Sequence, residues 1–405
     1  MSDRVIYLDN NATTPVCPEV VEAMLPYLRE YFYNPSSAYE QSKLTRAAVE
    51  QSRATIARLL NASQPTEVIF TGSASESNTT ALRGTLAANP DRRHVITTAV
   101  EHPSVMEVCK DFQRNGYEVT FLPVSRSGQL EFKDLIHALR PDTALVTIMH
   151  VNNETGVVFP VEKLAKIVKL TDPRVIFHTD ATQSVGKLPI DLSGVFLHVD
   201  LLSFSGHKLH APKGIGVLYM RKGTRCRPLL IGGHQENGRR AGTENVPYIV
   251  GLGKACELAA ADFRNTYSEK KTLRNRLEAF ILENIPYCYL NGRETGRLPT
   301  TTSVSFECVE GESVLYALGE HGICASTGSA CSSGSLAPSH VLQAMHIPLT
   351  AAHGTLRFSY GRFTTEADID ALIAVLPGII ARLRTMSPYW DTTANRPNDS
   401  TIALG

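Results

Sequence analysis

An α/β fold, with a mostly parallel sheet in a large domain and a smaller α+β domain after it, is what this 405-residue sequence predicts. Three observations carry that prediction. Between residues 67 and 220, short runs rich in Val, Ile, Thr and Phe alternate with stretches of helical apolar spacing, the pattern of βαβ units. Two of those runs stop at polar residues, Asp180 and Ser205, where an open α/β sheet presents its chemistry. Past a long helical stretch, residues 248–283, the order changes to two separated strands, 302–306 and 355–359, among helices near 312–321, 339–345 and 366–385. The division predicted is a large domain over 15–260, a small domain from 1–14 and 261–390, and a polar tail, 391–405, without structure of its own.

Composition narrows the class. Forty basic residues balance forty acidic ones, and no basic tract stands out, which argues against nucleic acid or an anionic membrane as the main partner. No run approaches the roughly 20 apolar residues of a membrane span, and the amino terminus lacks a signal-peptide pattern. A cytoplasmic protein is expected. The eight cysteines lie apart, with no C-x-x-C pair, which speaks against a zinc site. Cys109 and Cys256 fall in helical apolar patterns and are expected to be small core residues.

In order, Tyr7 to Pro15 reads as an extended arm, and helices are predicted over 19–31, opened by Pro18, and 39–60. A strand at 67–71 meets the turn Gly72-Ser73-Ala74-Ser75, with a helix from Glu76 to Ala88 that Ser75 caps. Strand, small-residue turn and helix start make either an anion site or an ordinary capped loop. Strands at 94–98, 118–122 and 143–149 alternate with helices near 104–115, 131–139 and 161–170. Glu101-His102-Pro103 stands at one strand end, where a histidine either caps the helix or faces a planar ligand. Asn152-Asn153-Glu154-Thr155-Gly156 ends another strand, where amide side chains can close the turn.

The strand at 174–180 ends in Asp180, and a carboxylate there can hold the protonated nitrogen of a pyridine ring. The run 199–204 delivers Ser205-Gly206-His207-Lys208, and Pro212 and Gly214 return the chain to a strand at 216–220. A lysine so placed is either solvated or, partly desolvated, able to form a Schiff base with an aldehyde. The glycine-rich stretch 232–245, with Arg239 and Arg240, is too long for a routine connection. The helix at 248–283 carries an apolar stripe, Leu252, Ala255, Leu258 and Leu277, suited to bridging two domains. Of the twelve residues 325–336, nine are Ser, Thr, Gly or Cys, which predicts a loop displaying the Cys331 thiol. Arg357, on a strand between apolar neighbours, suits a carboxylate or an inter-domain ion pair.

Taken in order, these motifs resemble a cysteine desulfurase of the NifS/IscS family, among the fold-type I pyridoxal phosphate (PLP)-dependent transferases, and most of all its nitrogenase-associated NifS branch. The resemblance covers about residues 5–390. It implies pyridoxal 5'-phosphate bound to Lys208, its ring nitrogen on Asp180 and its phenolic oxygen against Gln183. Ala74, Ser75, Ser205 and His207 then cradle the phosphate, while His102 stacks on the ring and moves protons. Asn153 reaches cofactor and substrate, and Arg357 binds the substrate carboxylate. Thr243 touches the phosphate of a second copy, which implies a homodimer. Tyr39 stands where many members carry histidine, and no role is carried over to it.

The implied reaction takes L-cysteine to L-alanine and leaves the sulfur on Cys331 as a persulfide. The sulfur would supply iron–sulfur cluster assembly for nitrogenase maturation through a scaffold of NifU or IscU type. No resident metal is implied, although Cys331 could ligate a cluster in transit. The alternatives are a general housekeeping IscS-like desulfurase, or another enzyme of the same fold such as a selenocysteine lyase or an aminotransferase.

Overall fold

The structure, a computed structural model, describes residues 4–327 and 338–398. Its elements run β1 (Ile6–Tyr7), α1 (Pro18–Arg29), α2 (Ser42–Leu59), β2 (Val68–Thr71), α3 (Ala74–Ala88), β3 (His94–Thr98), α4 (Pro103–Arg114), β4 (Glu118–Leu122) and α5 (Phe132–Ala138). There follow β5 (Thr143–Thr147), α6 (Val161–Thr171), β6 (Ile176–Asp180), β7 (Leu201–Ser205), β8 (Gly216–Met220) and α7 (Val246–Asn284). The chain continues through β9 (Cys288–Leu290), β10 (Thr301–Phe306), α8 (Gly311–Gly319) and β11 (Ile323–Cys324). It ends with α9 (His340–Ala344), α10 (Leu349–Ala352), β12 (Thr355–Ser359), α11 (Glu366–Met386), β13 (Trp390–Asp391) and β14 (Arg396–Pro397).

Seven strands form one sheet in the order β2-β8-β7-β6-β5-β3-β4. All neighbours are parallel except at β8, which runs antiparallel to both β2 and β7. Strands β5 to β8 are buried at every residue, so they read as continuous apolar runs rather than as alternation. Helices cover both faces. Leu82 and Leu86 of α3 with Val105 and Phe112 of α4 meet Ile176 and Leu218 on one face. Leu164 and Val168 of α6, with Ile56 of α2 and Leu252 of α7, meet Phe177, Val217 and Tyr219 on the other.

A second core lies around the antiparallel sheet β12-β10-β9. It packs Val304, Phe306, Leu356 and Phe358 against Val314 of α8 and Leu372 and Leu376 of α11. The amino-terminal arm joins this core, since β1 pairs in parallel with β11 and Leu8 is fully buried there. Helix α7 serves both cores. Its first turns give Ile249, Leu252 and Cys256 to the large sheet, and its last give Leu273, Leu277 and Ile281 to the small one.

Two sequence expectations are corrected. Helix α3 starts at Ala74, and its cap is Ser73 rather than Ser75, because Ser73 is fully extended (φ −172°) and its Oγ accepts the Glu76 N–H at 3.1 Å. Ser75 therefore lies inside the first turn. The tail expected to lack structure folds back as the hairpin β13–β14 through residue 398. Trp390 anchors it, buried under the Arg384 guanidinium at 4.3 Å, and the Asp391 carboxylate accepts the Thr393 and Ala394 N–H groups to close the turn. A lone anchor of that size outweighs the polar composition around it.

Candidate active site

The carboxyl ends of β2, β3, β5, β6 and β7 open on a cavity of about 320 Å³. Ten of the residues picked out from the sequence line it: Ala74, Ser75, His102, Asn153, Asp180, Gln183, Ser205, His207, Lys208 and Arg357. Thr243 is exposed and does not line this cavity. Cys331 lies outside the described residues.

One end of the cavity is an anion cradle. Ala74 and Ser75 of the first turn of α3 line it, with Ser205 at the end of β7 and His207 in the turn that follows. Close packing sets the turn. A Cβ on Gly216 of β8 would stand 2.4 Å from the Ser73 carbonyl carbon, so only glycine lets that strand pass beneath. Glu76 holds the turn from the side, accepting the Gly72 N–H at 2.7 Å and pairing with Arg240 at 2.9 Å. Burial, then the charge of Lys208, pushes the His207 imidazole down to about 4, so it meets an anion as a neutral ring.

Asp180 ends β6 on the cavity floor, 5% exposed. Its Oδ2 accepts from Asn78 Nδ2 at 2.7 Å and its Oδ1 from the Thr182 N–H at 2.9 Å, which fix its orientation. Asn78 also donates to Ser104 Oγ at 2.9 Å, and Ser104 Oγ lies 2.9 Å from His102 Nδ1. The same Nδ1 accepts the Ser104 N–H at 3.1 Å as the cap of α4, so the hydrogen of the neutral ring sits on Nε2. Burial, first, holds the His102 pKa below its ordinary value. His102 is thus both helix cap and cavity wall, and it is joined to Asp180 through two side chains.

Lys208 closes the single turn after β7 and donates Nζ to the carbonyl oxygens of Asn11 and Ala12, each at 2.7 Å. The Asn11 carbonyl also accepts from Gln183 Nε2 at 3.0 Å, and Gln183 Oε1 accepts from Lys187 Nζ at 2.9 Å. Across the cavity Arg357 of β12, 2% exposed, donates to Asp9 Oδ1 at 2.8 Å and to the Asn153 carbonyl at 3.0 Å. Its Nε has no partner among the described residues. Asn152, by contrast, spends its side-chain oxygen on the Glu154 and Thr155 N–H groups and closes the turn.

Sequence reasoning passed over Asp9, Asn78, Ser104 and Lys187. Asn78 lies one helical turn after Ala74 on α3, but its burial and its contact with Asp180 appear only in the fold. The contacts of Asp9 and Lys187 needed the fold, because their partners lie on other segments or in an irregular turn.

Behind His102, Glu101 is fully buried; Oε1 accepts from Thr98 at 2.7 Å and the Met149 N–H at 3.0 Å, and Oε2 has no partner among the described residues. Burial pushes its pKa up to about 8. An acid raised in the fold keeps its proton where the unfolded chain has lost it, so stability falls as pH rises from about 4.5 to about 8. Glu101→Gln, which stays neutral, is expected to flatten that fall in thermal melts across this range. Equal slopes in the two proteins would count against a protonated Glu101.

Among the described residues no three His, Cys, Asp or Glu side chains converge to hold a metal ion. None of the described helices is long and apolar enough to cross a membrane. The family model described as Aminotransferase class-V matches residues 6–372 of the chain. A cysteine desulfurase of Trichormus azollae is 54% identical over 385 residues, 95% of this chain and 95% of that protein. The cysteine desulfurase NifS of Azotobacter vinelandii is 50% identical over 385 residues, again 95% of each chain. Among solved structures, a NifS-like protein superposes with a TM-score of 0.87 at 35% identity, over 94% of this chain and 100% of that one.

Proposed function

We propose, on the premise that this chain belongs to the Aminotransferase class-V family and is one of its cysteine desulfurases, that Lys208, Asp180, His102, Arg357 and Cys331 are its working residues. The enzyme converts L-cysteine to L-alanine with pyridoxal 5'-phosphate as cofactor. The observation that carries the assignment of residues is the meeting of an amine, a buried carboxylate, a neutral imidazole and an under-used guanidinium in one cavity.

The donor set fits the cofactor. Ala74, Ser75, Ser205 and His207 would hold the phosphate at the start of α3, and Asp180 would hold the ring nitrogen. Gln183 would meet the phenolic oxygen, His102 the ring face and Lys208 the aldehyde. When bound, pyridoxal phosphate supplies an aldehyde that condenses with amines and a ring that stores the electron pair left at the substrate α-carbon. Asp180, held by Asn78 and Thr182, keeps a proton on the ring nitrogen. Lys208, once its amine is released, moves a proton at the α-carbon. Arg357 and Asn153 hold the substrate carboxylate, with the unpartnered Nε of Arg357 giving a charged contact. His102, with its hydrogen on Nε2, faces the cavity as a donor near the reacting sulfur. The Cys331 thiolate forms an S–S bond to the substrate sulfur as the substrate Cβ–S bond breaks, and the protonated carbon skeleton leaves as alanine.

Arg357→Ala is expected to lose roughly 2–4 kcal/mol of substrate stabilisation, about 30- to 900-fold in kcat/KM and mainly through KM for cysteine. Steady-state kinetics measure it. Unchanged cysteine kinetics would make Arg357 merely the partner of Asp9.

The working unit in this reading is a cytoplasmic homodimer in which Thr243, exposed on its own chain, reaches the cofactor phosphate of the second copy. Two domains, 15–260 and 1–14 with 261–390, are supported by the two cores, although Val341, Leu342 and Met345 of the second range pack into the first core. The sulfur acceptor is an iron–sulfur scaffold of NifU or IscU type, and the NifS relative at 50% identity favours supply to nitrogenase. Equimolar alanine and sulfide from L-cysteine test the reaction, and labelled sulfur offered to purified scaffolds tests the destination. Transfer only to a tRNA-thiolation protein would rule out the nitrogenase role.

A further inference from the structure

Behind the cavity floor a second lysine stands four residues after Gln183. Gly186, with φ +74°, turns the chain there, and a Cβ on it would come within 3.2 Å of Ala259. Lys187 is thereby carried under the site, where its Nζ donates to Gln183 Oε1 at 2.9 Å. The other end of the same amide donates from Nε2 to the Asn11 carbonyl at 3.0 Å, and Gln183 is 4% exposed. An ammonium can only donate and a carbonyl can only accept, so the two partners admit one orientation of the amide. Turned over, it would set N–H against ammonium and oxygen against oxygen. Asn11 uses one hydrogen of Nε2 and leaves the second for a ligand.

The reaction as described above assigns nothing to Lys187. We propose that Lys187 is a positioning residue: its ammonium fixes the Gln183 amide with nitrogen toward the reactive cavity, so that Gln183 is a one-way donor to the phenolic oxygen of the cofactor. The inference rests on the reading that Gln183 meets that oxygen. The groups around Lys187 bear on its charge. Cys17, Lys208, His210, Asp262, Tyr360 and Arg362 line the same small cavity of about 70 Å³, and Arg357 acts from beyond it. Burial, then Lys208 and Arg357, pull the Lys187 pKa down to about 7, while burial keeps His210 neutral, pushed down to about 4. Through the bond from Nζ to the Gln183 oxygen, Lys187 donates to that amide whether it is protonated or not.

The readout is the colour of the protein loaded with pyridoxal phosphate, titrated with pH. Protonation at the Lys208 nitrogen changes the visible band, and a donor on the phenolic oxygen competes with that proton. Losing the donor should let the protonated form persist to higher pH. Lys187→Met is expected to raise the midpoint by about one pH unit, a tenfold change in proton affinity, and Lys187→Arg to leave it near that of the unaltered protein. Gln183→Leu should raise it similarly, and the double variant should go no further than Gln183→Leu alone. If Lys187→Met does not fold, Lys187→Leu, which also lacks a donor, takes its place with the same expectation. A silent Lys187→Met beside a shifting Gln183→Leu would overturn the positioning role alone. A further rise in the double variant would also overturn it, since Lys187 would then act by its own charge. A silent Gln183→Leu would overturn the reading of Gln183 itself, and the inference with it.

Discussion

Borohydride reduction of the cofactor-loaded protein is expected to leave one pyridoxyl group, on Lys208, and Lys208→Ala is expected to abolish it together with turnover. The loss should be roughly a thousandfold or more, because in the proposed reaction every later step needs the amine that first holds the aldehyde and then moves the proton. The variant should still fold. The turn that carries Lys208 is closed by backbone bonds, Leu209 N–H and Ala211 N–H to the Gly206 carbonyl and Gly206 N–H to Ile215, none of which involves the side chain. What disappears is the pair of contacts to the Asn11 and Ala12 carbonyls. Peptide mapping reads the result. A tag on another lysine, Lys187 above all, would displace Lys208 from its role.

Cys331→Ala is expected to give the complementary phenotype. The protein should keep its cofactor colour and change spectrum on adding cysteine, because the groups assigned to cofactor and substrate stand on other segments. It should release almost no sulfide. Mass spectrometry after cysteine without reductant should find an added sulfur atom on Cys331 in the unaltered protein and none in the variant. Cys324 is the competitor to watch, since it is free and exposed, whereas burial raises the pKa of Cys109, Cys226 and Cys256 to about 12 or beyond and leaves little thiolate near neutrality. A persulfide on Cys324, or full activity in Cys331→Ala, would overturn the sulfur route and leave the cofactor assignment standing.

Much of the large sheet was legible because its strands are fully buried and β-branched, and because glycine and proline punctuate its turns; β3, β4 and β8 match their expected bounds. Short pairings were not legible. β1, β11 and β9 are two or three residues long and exist only because a distant partner supplies hydrogen bonds, as Gly322 and Cys324 do for Ile6 and Leu8. The site divides in the same way. Asp180 and Lys208 were legible from their places at the end of a strand and in the turn after one, together with the order of the motifs around them. The residues that aim them do not: Asn78 reads as an ordinary helical polar residue until β6 lies beside it, and Asn11 as a turn former until its carbonyl receives Gln183 and Lys208.

Helix α7 is one hydrogen-bonded rod of 39 residues, roughly 58 Å at 1.5 Å per residue. Heat that frays its carboxyl end strips Leu277 and Ile281 from the small core, and melting at its amino end strips Ile249 and Leu252 from the large one. A break anywhere between uncaps a helix on both sides. The two cores are therefore coupled through one helix, and loss of order at either end of it is felt first in the core that end serves.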